Sequence, residues 1–337
     1  MLRLVSKSLW LLGLTVVICC GVYPGVLWLV GQSLFPFQAN GSLLRAPDGT
    51  VVGSRLIAQP FTNDAYFQPR PSAASYDGSA SASSALAPSN YALRDRVARM
   101  LGPIVKYADG AKAGRLVAPD LEQWFRQDTF QGQPHLVAQW ADAHNGLAQA
   151  WVTGDSTHAA YVAVWAAANR PIVAQWVKDN PATPQPKPAD LAVVFFEHFS
   201  SDHPGAFPST VTSTISGRAV SRVEPIDRGA DVQATFFDMW RADHPDVALQ
   251  EVPGDLVTTS ASGLDPDISM ENAKYQLDRV ADAWAARLKR DRAGVRIEIG
   301  SMLEANASAP LAGLAGDSMV DVLAVNLSLR QHFGSPQ

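Results

Sequence analysis

The sequence predicts an α+β protein tied to a membrane by one N-terminal transmembrane helix, with a long, mostly helical, Trp-rich section in the middle of the chain. Three observations carry this reading. Leu9 to Val30 contains no charged residue. Strand-like alternation and a strongly one-faced helix occur on either side of the central section. Within that section the echoes LVAQW, YVAVW and IVAQW, ending at Trp140, Trp165 and Trp176, place aromatic residues in helical surroundings at uneven spacing, which argues for separate helices rather than a solenoid repeat.

The run LWLLGLTVVICCGVYPGVLWLV is long enough, at about 1.5 Å per residue, to cross a hydrocarbon core of roughly 30 Å. A cleaved signal peptide is the competing reading, and Gln38-Ala39-Asn40-Gly41 imitates a processing site. Signal peptides, however, have apolar cores of about 7 to 15 residues, so an uncleaved anchor is expected, kinked at Pro24. Arg3 and Lys7 precede the span and no charge follows until Arg45. This places residues 1–8 in the cytoplasm, the span at 9–30 and the remainder outside. The two cysteines, Cys19 and Cys20, both lie in the span, and the cysteine-free remainder suits an oxidising compartment.

After the anchor, Thr50 to Ile57 alternates like a strand, Phe61 to Asn90 reads as a long polar loop, and Tyr91 to Met100 as a helix. In the Trp-rich section each of the three echo helices is expected to bury its Trp. NPATPQPKP, Asn180 to Pro188, is too proline-rich for helix and reads as an extended connector. LAVVFF, Leu191 to Phe196, fits a buried strand or a short core helix. Asp255 to Ser260 suggests a strand, Ser262-Gly263 a turn, and Ser269 the cap of a helix running to about Asp291. Ala273, Leu277, Val280, Trp284 and Leu288 fall on one face of that helix. Val295 to Ile299 is open between strand and helix, and VLAVNLSL, Val322 to Leu329, is expected to close the chain as a strand.

Composition excludes several functions. A net charge of −5 with no Lys/Arg cluster leaves no face to replace the counterions of a nucleic acid. No phosphate loop, dinucleotide fingerprint, H-E-x-x-H, C-x-x-C or G-x-S-x-G occurs, so no catalytic residue is assigned. Glu197-His198 and Asp202-His203 offer four potential metal ligands within seven residues, but an exposed polar segment explains them without a metal. Five Trp residues between 124 and 176 suit either core packing or a ligand cleft. The cleft would belong to an anchored solute-binding or scaffold protein. Arg70, Ser72, Tyr76 and Asn90 are candidate partner contacts: Arg70 for a carboxylate, the others as oxygen donors. Each equally suits local backbone bonding.

Ordered blocks on both sides of the Trp-rich section carry a resemblance. They are QANGSLL (Gln38 to Leu44), VVGSRLIAQPF (Val51 to Phe61), YFQPRPSAASYD (Tyr66 to Asp77), APSN (Ala87 to Asn90), DLVTTSASGLDPDIS (Asp255 to Ser269), Gln276 with Arg279-Val280, and VLAVNLSL. In this order behind a lone span, the chain resembles the C subunit of the Kdp potassium-transporting P-type ATPase. The blocks and the residues joining them cover a little over half of the sequence.

The resemblance implies an accessory, non-catalytic subunit of a high-affinity potassium importer in the bacterial inner membrane. Its implied partners are a channel-like A subunit, an ATP-hydrolysing B subunit and membrane lipid. It has no cofactor of its own, and ATP belongs to the complex. The phosphorylated Asp-Lys-Thr-Gly motif of the catalytic subunit is absent. It divides the outer part into 31–106 and 251–337, with 107–250 as an insertion. A role in raising the pump's ATP affinity is implied for Gln276, which conflicts with the outside placement that the charges indicate. Departures from the family pattern are Ala85 and Ala87 where Asn and Gly are usual, Asp267 where His is common, and Met270 where Pro often opens the helix.

Overall fold

The computed structural model describes residues 2–45, 49–84, 86–87, 89–215, 218–309 and 316–336. The N-terminal helix runs over Arg3–Leu34; its most apolar 18-residue stretch has a mean hydropathy of 2.0 and is not buried within the chain. The helix is longer than the uncharged run that announced it, about 48 Å at 1.5 Å per residue. Between Leu2–Val17 and Tyr23–Leu34 the winding loosens into a π-turn, Ile18–Val22. The expected disturbance at Pro24 takes this form: proline lacks the N–H and crowds the preceding turn, and the wider π-turn accommodates it.

The chain divides into two compact units, Met1–Ala85 with Pro253–Gln337, the N-terminal helix included, and Leu86–Val252. In the first unit Leu43–Arg45 and Val51–Ser54 pair antiparallel, giving the strand expected near Thr50. A second sheet places Met319–Asp321 between Asp267–Ser269 and Ala307–Ser308, all antiparallel. Against it pack the helices Met270–Leu288, Arg292–Ala305 and Val322–Phe333, with Phe67, Ile268, Val280, Trp284, Ile299, Val325 and Leu329 in the core. The Ser269 hydroxyl accepts from Asn272 N at 3.1 Å, as an N-cap should. The helix it starts ends at Leu288 because Lys289 turns left-handed (φ +53°). Ala273, Leu277, Val280 and Trp284 are buried along one face, and Leu288 is partly so.

Two readings of this unit change, and one left open is decided. Val322 to Leu329 is helix, not strand: the Asp321 carboxylate accepts from Ala324 N at 2.8 Å, and Val322, Val325, Asn326 and Leu329 are buried at three-and-four spacing. The cap and the packed face override the β-preference of valine. Asp255 to Ser260 begins as a helical turn, Gly254–Val257. There Asp255 turns to receive Ser269 N and Oγ, at 2.7 and 3.1 Å. The segment Val295 to Ile299 belongs to a helix, capped by Asp291.

The second unit is helical around one aromatic core, with a long hairpin, Phe207–Ile215 and Arg218–Ile226, that the sequence reading did not foresee. Trp140 sits at the centre, its ring centroid 5.2 Å from that of Phe196 and 5.5 Å from that of Phe207, both edge-on. Leu191 to Phe196 resolves as a 3-10 turn leading into the core helix Ala192–Asp202, and Asn180 to Lys187 is free of regular structure. The helix Tyr91–Leu101 ends at Gly102, where any Cβ would lie 2.0 Å from Gln233 O of the helix Ala230–Asp243. Only one echo helix buries its Trp fully: Trp140 is 1% exposed, Trp165 is partly covered by Phe195 at 5.4 Å, and the helix Arg170–Asp179 carrying Trp176 has no buried residue.

Candidate functional site

In the first unit the segment 64–68 leaves a turn at Asp64-Ala65 and belongs to no sheet, so its buried amides and carbonyls need other partners. Side chains provide them. Asn326 accepts from Phe67 N and donates to Phe67 O, both at 2.9 Å. Gln276 does the same for Gln68, accepting from its N at 2.8 Å and donating to its O at 3.0 Å. A carboxamide presents one donor and one acceptor side by side, as a neighbouring strand would. Trp284 Nε1 donates to Ala65 O at 2.7 Å, and the Arg279 guanidinium donates to Asp64 O and Tyr66 O at 2.9 and 3.0 Å. Two helices thus grip five consecutive residues, and Phe67 is fully buried beneath the grip.

Gln276 has no hydrogen-bonding capacity left. Its second N–H goes to Asn272 Oδ1 at 2.8 Å and its oxygen accepts a second bond from Arg279 Nη2 at 2.8 Å. Burial of Arg279 presses its pKa down while Asp64 opposes that, so four side chains and one backbone segment form a single charge-assisted network.

The chain leaving this grip carries three of the candidate contacts, and the structure brings them together. Arg70 reaches Asp265 Oδ2 at 3.4 Å and donates to Thr259 O at 3.2 Å. The Ser72 hydroxyl donates to Gly263 O at 2.5 Å while accepting from Ala74 N and Tyr76 N at 3.1 and 3.0 Å. Tyr76 OH donates back to Arg70 O at 2.9 Å, and burial pushes its phenol pKa up. The loop 70–84 is therefore fixed onto the 259–265 turn, with Ala82 N donating to Ser262 O at 3.1 Å. Asn90 is not part of this group. It lies in the other unit and caps the helix Tyr91–Leu101, accepting from Ala92 N at 2.9 Å. Ala85 and Pro88 lie outside the described residues.

Asp267, at the position where the resemblance leads one to expect His, stands directly opposite Asp321 across the antiparallel pair. Burial first, then the charges of Asp321 and Asp265, raise its pKa above the ordinary 3.8, against a smaller pull from Arg55. A carboxyl with a raised folded-state pKa binds its proton more tightly when folded, so it disfavours folding at neutral pH and ceases to do so below the unfolded value. Asp267→Asn is expected to raise the urea midpoint at pH 7. The gain should shrink as pH falls through the raised pKa and vanish below pH 3.8. A gain constant with pH would show that like-charge repulsion is not its source.

The metal-ligand types of the second unit do not converge. His198 Nδ1 pairs with Asp202 at 3.0 Å and His203 lies against Phe199, and no group of three or more ligand residues forms among the described residues. Sequence reasoning missed Asn326 and the indole N–H of Trp284. The available signal was an Asn at a core spacing within an otherwise apolar run.

The family model for the K+-transporting ATPase, c chain, matches residues 5–121 and 221–331, leaving 122–220 unmatched. The match covers most of the N-terminal helix, both sides of the grip and the two ends of the second unit. The chain is 35% identical over 145 residues to the potassium-transporting ATPase KdpC subunit of Parvibaculum lavamentivorans, spanning 43% of this chain and 77% of that relative. It is 52% identical over 80 residues to the KdpC subunit of Shewanella putrefaciens, 24% and 40% of the two chains. For that of Pseudomonas aeruginosa the figures are 54% over 77 residues, 23% and 42%. These last two relatives are spanned over less than half their length.

Proposed function

This chain belongs to the KdpC family, the accessory, non-catalytic C subunits of the potassium-transporting ATPase, and from that premise we propose that it joins a channel-like A subunit and an ATP-hydrolysing B subunit and stabilises their assembly. The observation that carries the proposal is the pairing of the family match with a helix, Arg3–Leu34, whose uncharged stretch from Leu9 to Val30 is left exposed by the rest of the chain. Such a surface suits lipid and neighbouring membrane helices. Arg3 and Lys7 favour an N-terminus in the cytoplasm, and hence the residues after the span on the outside of the inner membrane.

On this reading the loop fixed by Arg70, Ser72 and Tyr76 is a rigid face offered to the partner subunits, and Asn90 serves the helix it caps. Gln276 acts at one remove. With its donors and acceptors all used inside the chain, it holds the segment leading to that face, and ATP is left to the partner. Of the stretch 107–250 read as an insertion, residues 122–220 are what the family domain carries beyond its own pattern, since 107–121 and 221–250 fall within the family match.

The test is purification of the tagged full chain from gently solubilised membranes of potassium-starved native cells. A P-type ATPase subunit and a channel-like potassium subunit should co-purify in fixed ratio. Recovery of the intact, abundant chain without them would favour an independent anchored binding protein.

A further inference from the structure

The helix Arg170–Asp179 is unusual in the second unit. Ile172, Val173, Trp176 and Val177 make an apolar stripe at helical spacing, yet none of them is fully buried. A ten-residue helix has little stability of its own in water, so a face covered this thinly is a surface built to receive something. Beside it, Val193 and Val194 of the helix Ala192–Asp202 complete an open groove of about 540 Å³ with Ile172 and Trp176. Its charged lining is of one sign: Asp179 and Glu197 border it, and no Lys, Arg or His does. The Glu197 carboxylate has no hydrogen bond or ion pair among the described residues, and desolvation, with Asp142 nearby, pushes its pKa up.

We propose that this groove docks a basic amphipathic helix of a partner protein. Apolar side chains of that helix lie against Trp176, Ile172, Val193 and Val194, and its Lys or Arg residues meet Asp179 and Glu197. Asp179 accepts from Gln175 Nε2 at 3.1 Å but meets no cation; an acidic partner would add to the negative charge, and a purely apolar one would leave both carboxylates less solvated with no cation to offset them. A groove between two helices with an apolar floor and a charged rim is the form in which amphipathic helices are bound. The inference does not depend on the pump assembly, because every residue it uses lies in the stretch that the family model leaves unmatched.

The probe is a fluorescently labelled helical peptide of leucine and lysine with its leucines on one face, titrated into the full chain in zwitterionic nanodiscs and read by anisotropy. A twin with glutamate in place of lysine is the reference. The lysine peptide should bind saturably, at least about tenfold tighter than its twin. Trp176→Ala should weaken it about tenfold or more, as loss of a central aromatic anchor does. Joint Asp179→Asn and Glu197→Gln should reduce both affinity and its salt dependence. All of these residues are partly exposed, so folding should survive, and Trp176→Phe should restore most of the binding. Equal binding of the two peptides, or unchanged affinity in Trp176→Ala, would overturn the proposal. So would a wild-type dimer that Trp176→Ala dissolves, since the occupant would then be a second copy of this chain.

Discussion

Asn326→Leu is expected to destabilise the first unit by about 2–4 kcal/mol, although it swaps one buried side chain for another of similar size. Asn326 is 1% exposed and bonds both the N–H and the C=O of Phe67. Leucine would leave those two backbone groups buried without partners, at roughly 1–3 kcal/mol each. The added apolar area returns only about 1 kcal/mol. Gln276→Leu should cost as much or more, since it also deprives Asn272 and Arg279 of a partner. The two substitutions act on adjacent residues of one segment and should be less than additive, because a segment released at Phe67 has little left to lose at Gln68. Hydrogen exchange over 64–69 is the direct readout: protection should fall at least tenfold in either variant, in keeping with about 1.4 kcal/mol per factor of ten. Ser328→Ala, which removes a bond to Ala324 O in its own helix and one from Asn306 Nδ2, neither of them to the segment, is the control and should leave that exchange unchanged. Wild-type protection in Asn326→Leu would mean that something other than the carboxamides holds the segment.

The grip also shows where the sequence was readable. Helix Met270–Leu288 was legible from its cap and its stripe because both signals are local: a hydroxyl three residues before the amide it receives, and side chains recurring at helical spacing. The N-terminal helix was legible for the same reason, and it runs past the uncharged stretch Leu9 to Val30 at both ends. Val322 to Leu329 was misread because alternation of small and apolar residues fits a strand and a helix equally over eight positions. The deciding facts are the Asp321 cap and the pairing of Asn326 with a residue 259 positions away. The hairpin from Phe207 to Ile226 was missed because its strands are rich in Ser, Thr and Arg, and Val220 of its second strand stays exposed. Trp176 was assigned to a core on the strength of an echo, but a shared pentapeptide does not supply a shared set of neighbours. Arg70, Ser72 and Tyr76 were chosen for their chemistry, which could not reveal that they would bond the 259–265 turn before any partner.

Gly263→Ala should be the most damaging single-methyl change in that turn, and it separates two physical causes. Gly263 has φ +72°, a left-handed conformation that costs an alanine about 1–2 kcal/mol. Its Cβ would also lie 2.8 Å from Ala82 O and 3.0 Å from Ala74 N, and these are backbone atoms with no flexible end to move aside. Relief requires the 70–84 loop to lift away, breaking the Ser72 bond to Gly263 O and the Ala82 bond to Ser262 O, so overpacking adds roughly 1–3 kcal/mol. The reference is Gly41→Ala, where φ is +83° and nothing lies within 4 Å; it carries the conformational cost alone. Urea midpoints of the full chain should therefore fall about twice as far for Gly263→Ala as for Gly41→Ala, and only the former should speed hydrogen exchange across 72–82. If the two variants lose stability equally, the close approach of the loop contributes nothing. Should Gly263→Ala lose the loop's protection yet still co-purify with both pump subunits at wild-type ratio, then the face carrying Arg70, Ser72 and Tyr76 is not where those subunits are held, and assembly rests on the membrane helix.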